Sequence, residues 1–168
     1  MKNIIFTLLL TLSINIFAQD ELSTFKLHDI DGNGVEVIDI EKGLIFKGHK
    51  NAVFLIMFGH KCPPCIEEIP TLIDLTNRYK DRLTIVALEV QGYSSEEIKG
   101  FRKEYGINYT LISGKENSNF VGHIAQRAGW KGAIPMLIAI DKKGEVQLIH
   151  EGAIKSSKID ELINKLNQ

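Results

Sequence analysis

The sequence predicts an α/β domain with a central mixed sheet flanked by helices, and three observations predict it. Two short runs, Val53 to Phe58 and Leu83 to Val90, are apolar and β-branched enough for strands buried on both faces. Between them, Pro63 to Lys80 carries Ile66, Ile69, Leu72, Ile73 and Leu75 at spacings near the helical period, so the three segments form a parallel βαβ unit. Near the end, Met136 to Ile140 and Glu145 to His150 flank Asp141-Lys142-Lys143-Gly144, the pattern of an antiparallel hairpin. With 168 residues, 44% of them hydrophobic, the chain can bury one ordinary core, so one domain is expected.

The remaining elements follow in order. Met1-Lys2-Asn3 is a short basic start, and Ile4 to Phe17 is apolar but too short for a membrane span, which needs about 20 residues. Followed by Ala18, it reads as a secretory signal peptide over residues 1–18, with an uncleaved membrane anchor as the alternative. Phe25 to His28 and Val35 to Ile40 flank Asp29-Ile30-Asp31-Gly32-Asn33-Gly34, whose Asp-Gly and Asn-Gly pairs mark a turn, so an N-terminal β-hairpin is expected. Pro70 falls inside the first helix and should remove one hydrogen bond there. Ser94-Ser95-Glu96-Glu97 opens a helix running to Tyr105, since serines cap and acids favour the positive end. Ile107 to Ile112 is a strand, Ser118 to Ala128 a helix ended by Gly129, and Ser156 to Leu166 a final amphipathic helix.

Cys62-Pro63-Pro64-Cys65 holds both cysteines of the chain, directly after a buried strand and at the start of a helix. A thiol at a helix N-terminus meets amide N–H groups and the positive end of the macrodipole, which favour the thiolate. That is a site for disulfide exchange. A structural bridge over so short a loop would restrain the unfolded chain little. A structural zinc would want four ligands, and only His60 lies close in sequence.

These residues resemble the thioredoxin superfamily: a strand, the C-P-P-C, a helix with a proline five positions after the second cysteine, then Ala133-Ile134-Pro135 before a closing hairpin and helix. The hairpin Phe25, Leu27, Asp29, Asp31, Gly32, the insertion at residues 92–130 and the run from Ile134 to Gly144 resemble its TlpA-like branch, over residues 24–168. The resemblance implies a thioredoxin-like fold with an N-terminal β-hairpin and a helix-containing insertion before a cis-proline. It also implies an exported thiol:disulfide oxidoreductase, in some members serving cytochrome c maturation.

Residue by residue, the resemblance implies that Cys62, exposed at the helix start, attacks the substrate disulfide and that Cys65 resolves the mixed disulfide. Ile134-Pro135 is the position that is cis in the family, and its backbone would pair with an extended substrate segment. Glu68, three residues after Cys65 and on the same helical face, would accept the Cys65 proton, with a solvated carboxylate as the alternative. Lys61 adds positive charge beside Cys62, and His60 would do so when protonated, unless it is a solvated loop histidine. Pro63 and Pro64 both lack an N–H, so the Cys62 thiolate receives fewer backbone hydrogen bonds and the couple should be more reducing. Trp130 reads either as a wall of the substrate groove or as a packed core aromatic.

The expected activity is reduction of disulfides in exported proteins, with no cofactor beyond the Cys62–Cys65 couple. A disulfide-introducing oxidant, a peroxiredoxin-like peroxidase and a Cu(I)- or partner-binding module are the alternatives. The expected partners are protein thiol or disulfide substrates and a membrane electron donor, with export to the periplasm and a monomeric state. A formal net charge of -1 with both signs interspersed excludes a phosphate-tracking surface and so a nucleic-acid partner.

Overall fold

The structure is a computed structural model and describes residues 23–154 and 156–168; the expected signal peptide, residues 1–18, lies outside the described residues. The elements run β1 (Thr24–His28), β2 (Gly34–Ile40), β3 (Gly43–Phe46), β4 (Ala52–Phe58), α1 (Pro63–Arg78), β5 (Leu83–Glu89), α2 (Ser95–Tyr105), β6 (Thr110–Ser113), α3 (Ser118–Ala128), β7 (Met136–Ile140), β8 (Val146–Glu151) and α4 (Ser156–Leu166). A five-stranded sheet has the order β6-β5-β4-β7-β8, and a three-stranded sheet the order β1-β2-β3. In the larger sheet β4, β5 and β6 are parallel, while β7 runs antiparallel to β4 and β8 to β7. This is the expected mixed sheet.

Every residue of β4 is buried, and its side chains alternate between two cores. Phe54, Ile56 and Phe58 face α1, α2 and α4 with Ile69, Leu72, Ile98, Phe101 and Ile163. Val53, Leu55 and Met57 face the opposite way, against Phe120 and Ile124 of α3 and Leu27, Val37 and Phe46 of the smaller sheet. The period-two alternation of a strand therefore places one apolar run in both layers. Among the described residues no helix is long and apolar enough to cross a membrane.

Two boundaries differ from the sequence reading. The expected hairpin gains a third strand, β3, antiparallel to β2 from Ile40 opposite Gly43 to Val37 opposite Phe46, and the Leu44 N–H to Gly144 carbonyl and Val146 N–H to Lys42 carbonyl bonds tie the small sheet to the β7–β8 turn. Strand β6 starts at Thr110 rather than Ile107, because Gly106 ends α2 in the left-handed region and the Ile107 N–H closes back onto Arg102. Ile107 is buried as the anchor of that cap rather than as a ladder residue. Pro70 does lie inside α1, and the Ser94 capping box with Glu97 forms as read.

A Cβ at Gly43 would overlap the Gly144 carbonyl oxygen, whereas one at Gly34 meets nothing within 4 Å. Gly43→Ala should therefore lower stability by about 1–3 kcal/mol, while Gly34→Ala should leave it unchanged or raise it by up to about 1 kcal/mol, measured as urea unfolding midpoints.

Candidate active site

The carboxyl ends of β4 and β5, the start of α1 and the turn before β7 converge on Cys62 and Cys65. The register pairs Phe58 with Glu89, so the two strand ends and the loops that leave them are neighbours. Cys62 is the N-cap of α1, in extended backbone, and Pro63 and Pro64 occupy the first helical positions, where their fixed φ suits a helix start. The two cysteines form a disulfide. The Cys65 N–H points at the Cys62 sulfur at 3.3 Å and is the one backbone N–H directed at it among the described residues. Both prolines thus withhold the donors that a helix start otherwise offers a sulfur.

The sequence reading placed Cys62 at an exposed position, and the structure corrects this. Cys62 is 6% exposed and Cys65 3%, with the Ile134 carbonyl 3.8 Å from the outer sulfur. Lys61, Pro63 and Pro64 around it are exposed, so the sulfur lies just below the surface. The Ile134–Pro135 bond is cis, and Pro135 is buried at the start of β7. The Gly152 N–H donates to the Pro135 carbonyl at 2.7 Å, which fixes the turn from its far side. Trp130 holds the same turn from within: its ring is half-buried against the α3 core and its Nε1–H donates to the Ala133 carbonyl at 2.6 Å.

Glu68 sits on the inner side of α1, one turn beyond Cys65. Its Oε1 accepts from the Ile154 N–H at 3.1 Å, and the side chain lines a small cavity with Pro135, Leu137 and Ile154. It is not a solvated carboxylate like its exposed neighbour Glu67. Burial raises its pKa above the ordinary carboxylate value, opposed by the Ile154 hydrogen bond and by His150. Partly buried Tyr109 has its phenol pKa raised, first by burial and then by the Glu68 charge.

His60 is not in a solvated loop. Its side chain is 6% exposed, its ring stacks on Tyr93 with centroids 3.4 Å apart, and Nδ1 lies 2.8 Å from Glu89 Oε1. Glu89 is the residue that sequence reasoning missed, because it was absorbed into the apolar run of β5. The available signal was a single acid closing an otherwise apolar strand, a residue type that is almost never fully buried without partners. Gln91 completes this corner by accepting the Lys61 N–H at 2.7 Å, and a Cβ at Gly59 would overlap the Gln91 side chain. With its ring held by Glu89 and Tyr93, His60 does not turn toward the two sulfurs as a metal ligand, and the described residues contain no cluster of three or more His, Cys, Asp or Glu fit for a metal.

A dithiol at a helix start, a backbone carbonyl facing its outer sulfur and a buried acid one turn below can carry out thiol exchange. The AhpC/TSA family model matches residues 18–149. The thiol-disulfide oxidoreductase ResA of Halalkalibacterium halodurans is 25% identical over 87% of this chain and 75% of its own length. ResA of Bacillus thuringiensis strain Al Hakam is 31% identical over 78% of this chain and 69% of its own. The solved pneumococcal exposed lipoprotein thioredoxin of Streptococcus pneumoniae superposes with a TM-score of 0.62 at 18% identity, covering 85% of this chain and 99% of that one. With the disulfide at its helix start and these relatives, the chain belongs to the AhpC/TSA family and is a thiol-disulfide oxidoreductase of thioredoxin fold.

Proposed function

We propose that this enzyme works as an exported reductase, donating electrons to disulfides of extracytoplasmic proteins. The observation that carries the direction is the pair of prolines at the first two positions of α1, which leaves the Cys62 sulfur the Cys65 N–H alone from that helix turn. A thiolate with few donors is less stabilised, and a less stabilised reduced form makes the couple more reducing. Export is supported by the basic start and apolar stretch of residues 1–18. The names of its relatives support a place among the ResA-type enzymes, and cytochrome c maturation is the process we propose for it.

The exchange is written from the reduced protein. The Cys62 thiolate attacks one sulfur of a substrate disulfide, forms a mixed disulfide and expels the first substrate thiolate. The Cys65 thiol then passes its proton to Glu68, attacks the Cys62 sulfur and expels the second substrate thiolate, leaving the Cys62–Cys65 disulfide. Two electrons have moved to the substrate. An external dithiol donor at the membrane returns the enzyme to its reduced form. During attack, the Ile134 backbone would pair with the substrate segment as an added strand. Lys61 would contribute positive charge beside the attacking sulfur.

Three outcomes test this reading. Cys65→Ser expressed in the native cell should accumulate mixed disulfides through Cys62 that vanish in Cys62→Ser, as seen on non-reducing gels with mass spectrometry; no trapped protein would sink the exchange reading. Equilibration with a glutathione buffer should give a potential well below the roughly −120 mV of strong oxidants, and Pro63→Ala with Pro64→Ala should raise it by about 30 mV or more. Glu68→Gln should slow resolution of the mixed disulfide while leaving the first attack unchanged. Because the folded pKa of Glu68 is raised, its stability contribution is fullest below the ordinary carboxylate value and is lost as pH rises through the folded one. Glu68→Gln should therefore gain stability over wild type at pH 8 relative to pH 4, measured by urea unfolding.

A further inference from the structure

Glu89 is a fully buried carboxylate that takes no part in the exchange chemistry of Cys62, Cys65 and Glu68. Its Oε1 accepts from the His60 N–H at 3.4 Å and the Gln91 N–H at 3.0 Å, and lies 2.8 Å from His60 Nδ1. Its Oε2 accepts from the Gly92 and Tyr93 N–H groups at 3.0 and 2.8 Å. Four of these contacts are backbone N–H groups donating to the carboxyl oxygens, and the fifth joins it to the His60 ring. One side chain therefore joins the loop that leaves β5 to the loop that carries Cys62.

The second loop has no slack. Its three amides after Gly59 are each engaged: His60 with Glu89, Lys61 with Gln91 Oε1, and Cys62 with the Gly59 carbonyl at 3.3 Å. The imidazole is clamped between Glu89 and the Tyr93 ring, and its buried Nε2 has no partner among the described residues. The charged and titratable groups around it are Lys61 on its own loop, Glu89 and Tyr93 from β5 and its exit, and Glu97 of α2, which lies within its electrostatic reach.

We propose that Glu89, acting through His60, is a positioning residue for the attacking thiol: the pair fixes the Gly59–Cys62 segment by hydrogen bonds so that the Cys62 sulfur stays at the helix start and against the Cys65 N–H. The pair works by anchorage and not by the charge of the imidazole. This rests on Cys62 being the attacking sulfur. Positioning matters here because Pro63 and Pro64 have removed the other amides, so a small drift of the sulfur costs it the one donor it has.

The test is the pH dependence of iodoacetamide alkylation of Cys62 in the reduced full chain, read by mass spectrometry. His60→Ala should move the thiolate titration upward, a rise of one unit lowering the rate at pH 7 about tenfold. His60→Asn, whose amide can replace the Nδ1 contact but carries no charge, should restore most of that loss. Glu89→Gln should also slow the reaction, because one amide oxygen cannot serve both sets of N–H donors; removal of a nearby negative charge alone would speed it. Equal losses in His60→Ala and His60→Asn, an unchanged His60→Ala, or a faster Glu89→Gln would each overturn the proposal. If Glu89→Gln fails to fold, the two His60 variants decide alone. Alkylation needs no disulfide substrate, so failure here leaves the exchange reading standing, while failure to trap partners leaves these rates unmoved.

Discussion

A strand buried on both faces has no room for a polar side chain along its length, and β4 is such a strand. Its seven residues divide between two apolar cores, so whatever reacts must be displaced to where the strand stops. That constraint arranges the rest. The carboxyl ends of β4 and β5 open side by side, α1 starts there, and the antiparallel β7 begins at the same end of the sheet. The disulfide, the cis-proline turn and the buried Glu89 are the contents of that opening, a place where open α/β sheets commonly bind ligands.

Within it, the balance of donors and acceptors is uneven. Glu89 gathers N–H groups from two loops, while the Cys62 sulfur, one helix start away, is denied them by two prolines. Pro63 and Pro64 leave the sulfur the Cys65 N–H alone, and the amides of His60, Lys61 and Cys62 are committed to Glu89, Gln91 and the Gly59 carbonyl. Rigidity of the loop and poverty of donors at the sulfur are thus two sides of one arrangement. On the proposed reading as a reductase, a weakly stabilised thiolate held in a fixed place would suit electron donation.

Much of this was legible in the residues. The helix–strand alternation followed from periodicity, and the C-P-P-C with its downstream Ile134-Pro135 pointed to the reacting centre before any coordinates. Glu68 was identified from the resemblance to the TlpA-like branch, and its spacing placed it on the Cys65 face, but neither could reveal that its oxygen would meet the Ile154 N–H across the fold. The depth of Cys62 was not legible, since the Ile134 carbonyl beside its sulfur comes from 72 residues away in sequence. The role of Glu89 was hidden for the same reason: a strand-end acid reads as a boundary until the loop donors that converge on it are known. Strand β3, which pairs with the neighbouring β2, escaped the sequence reading.

Trp130 has a use beyond packing. It is the single tryptophan of the chain, and its indole N–H is bonded to Ala133, next to the backbone that faces the disulfide. The protein therefore contains one indole fluorophore, bonded to the turn before the cis-proline. Its emission offers an optical signal of events at that turn, with no dye or label attached.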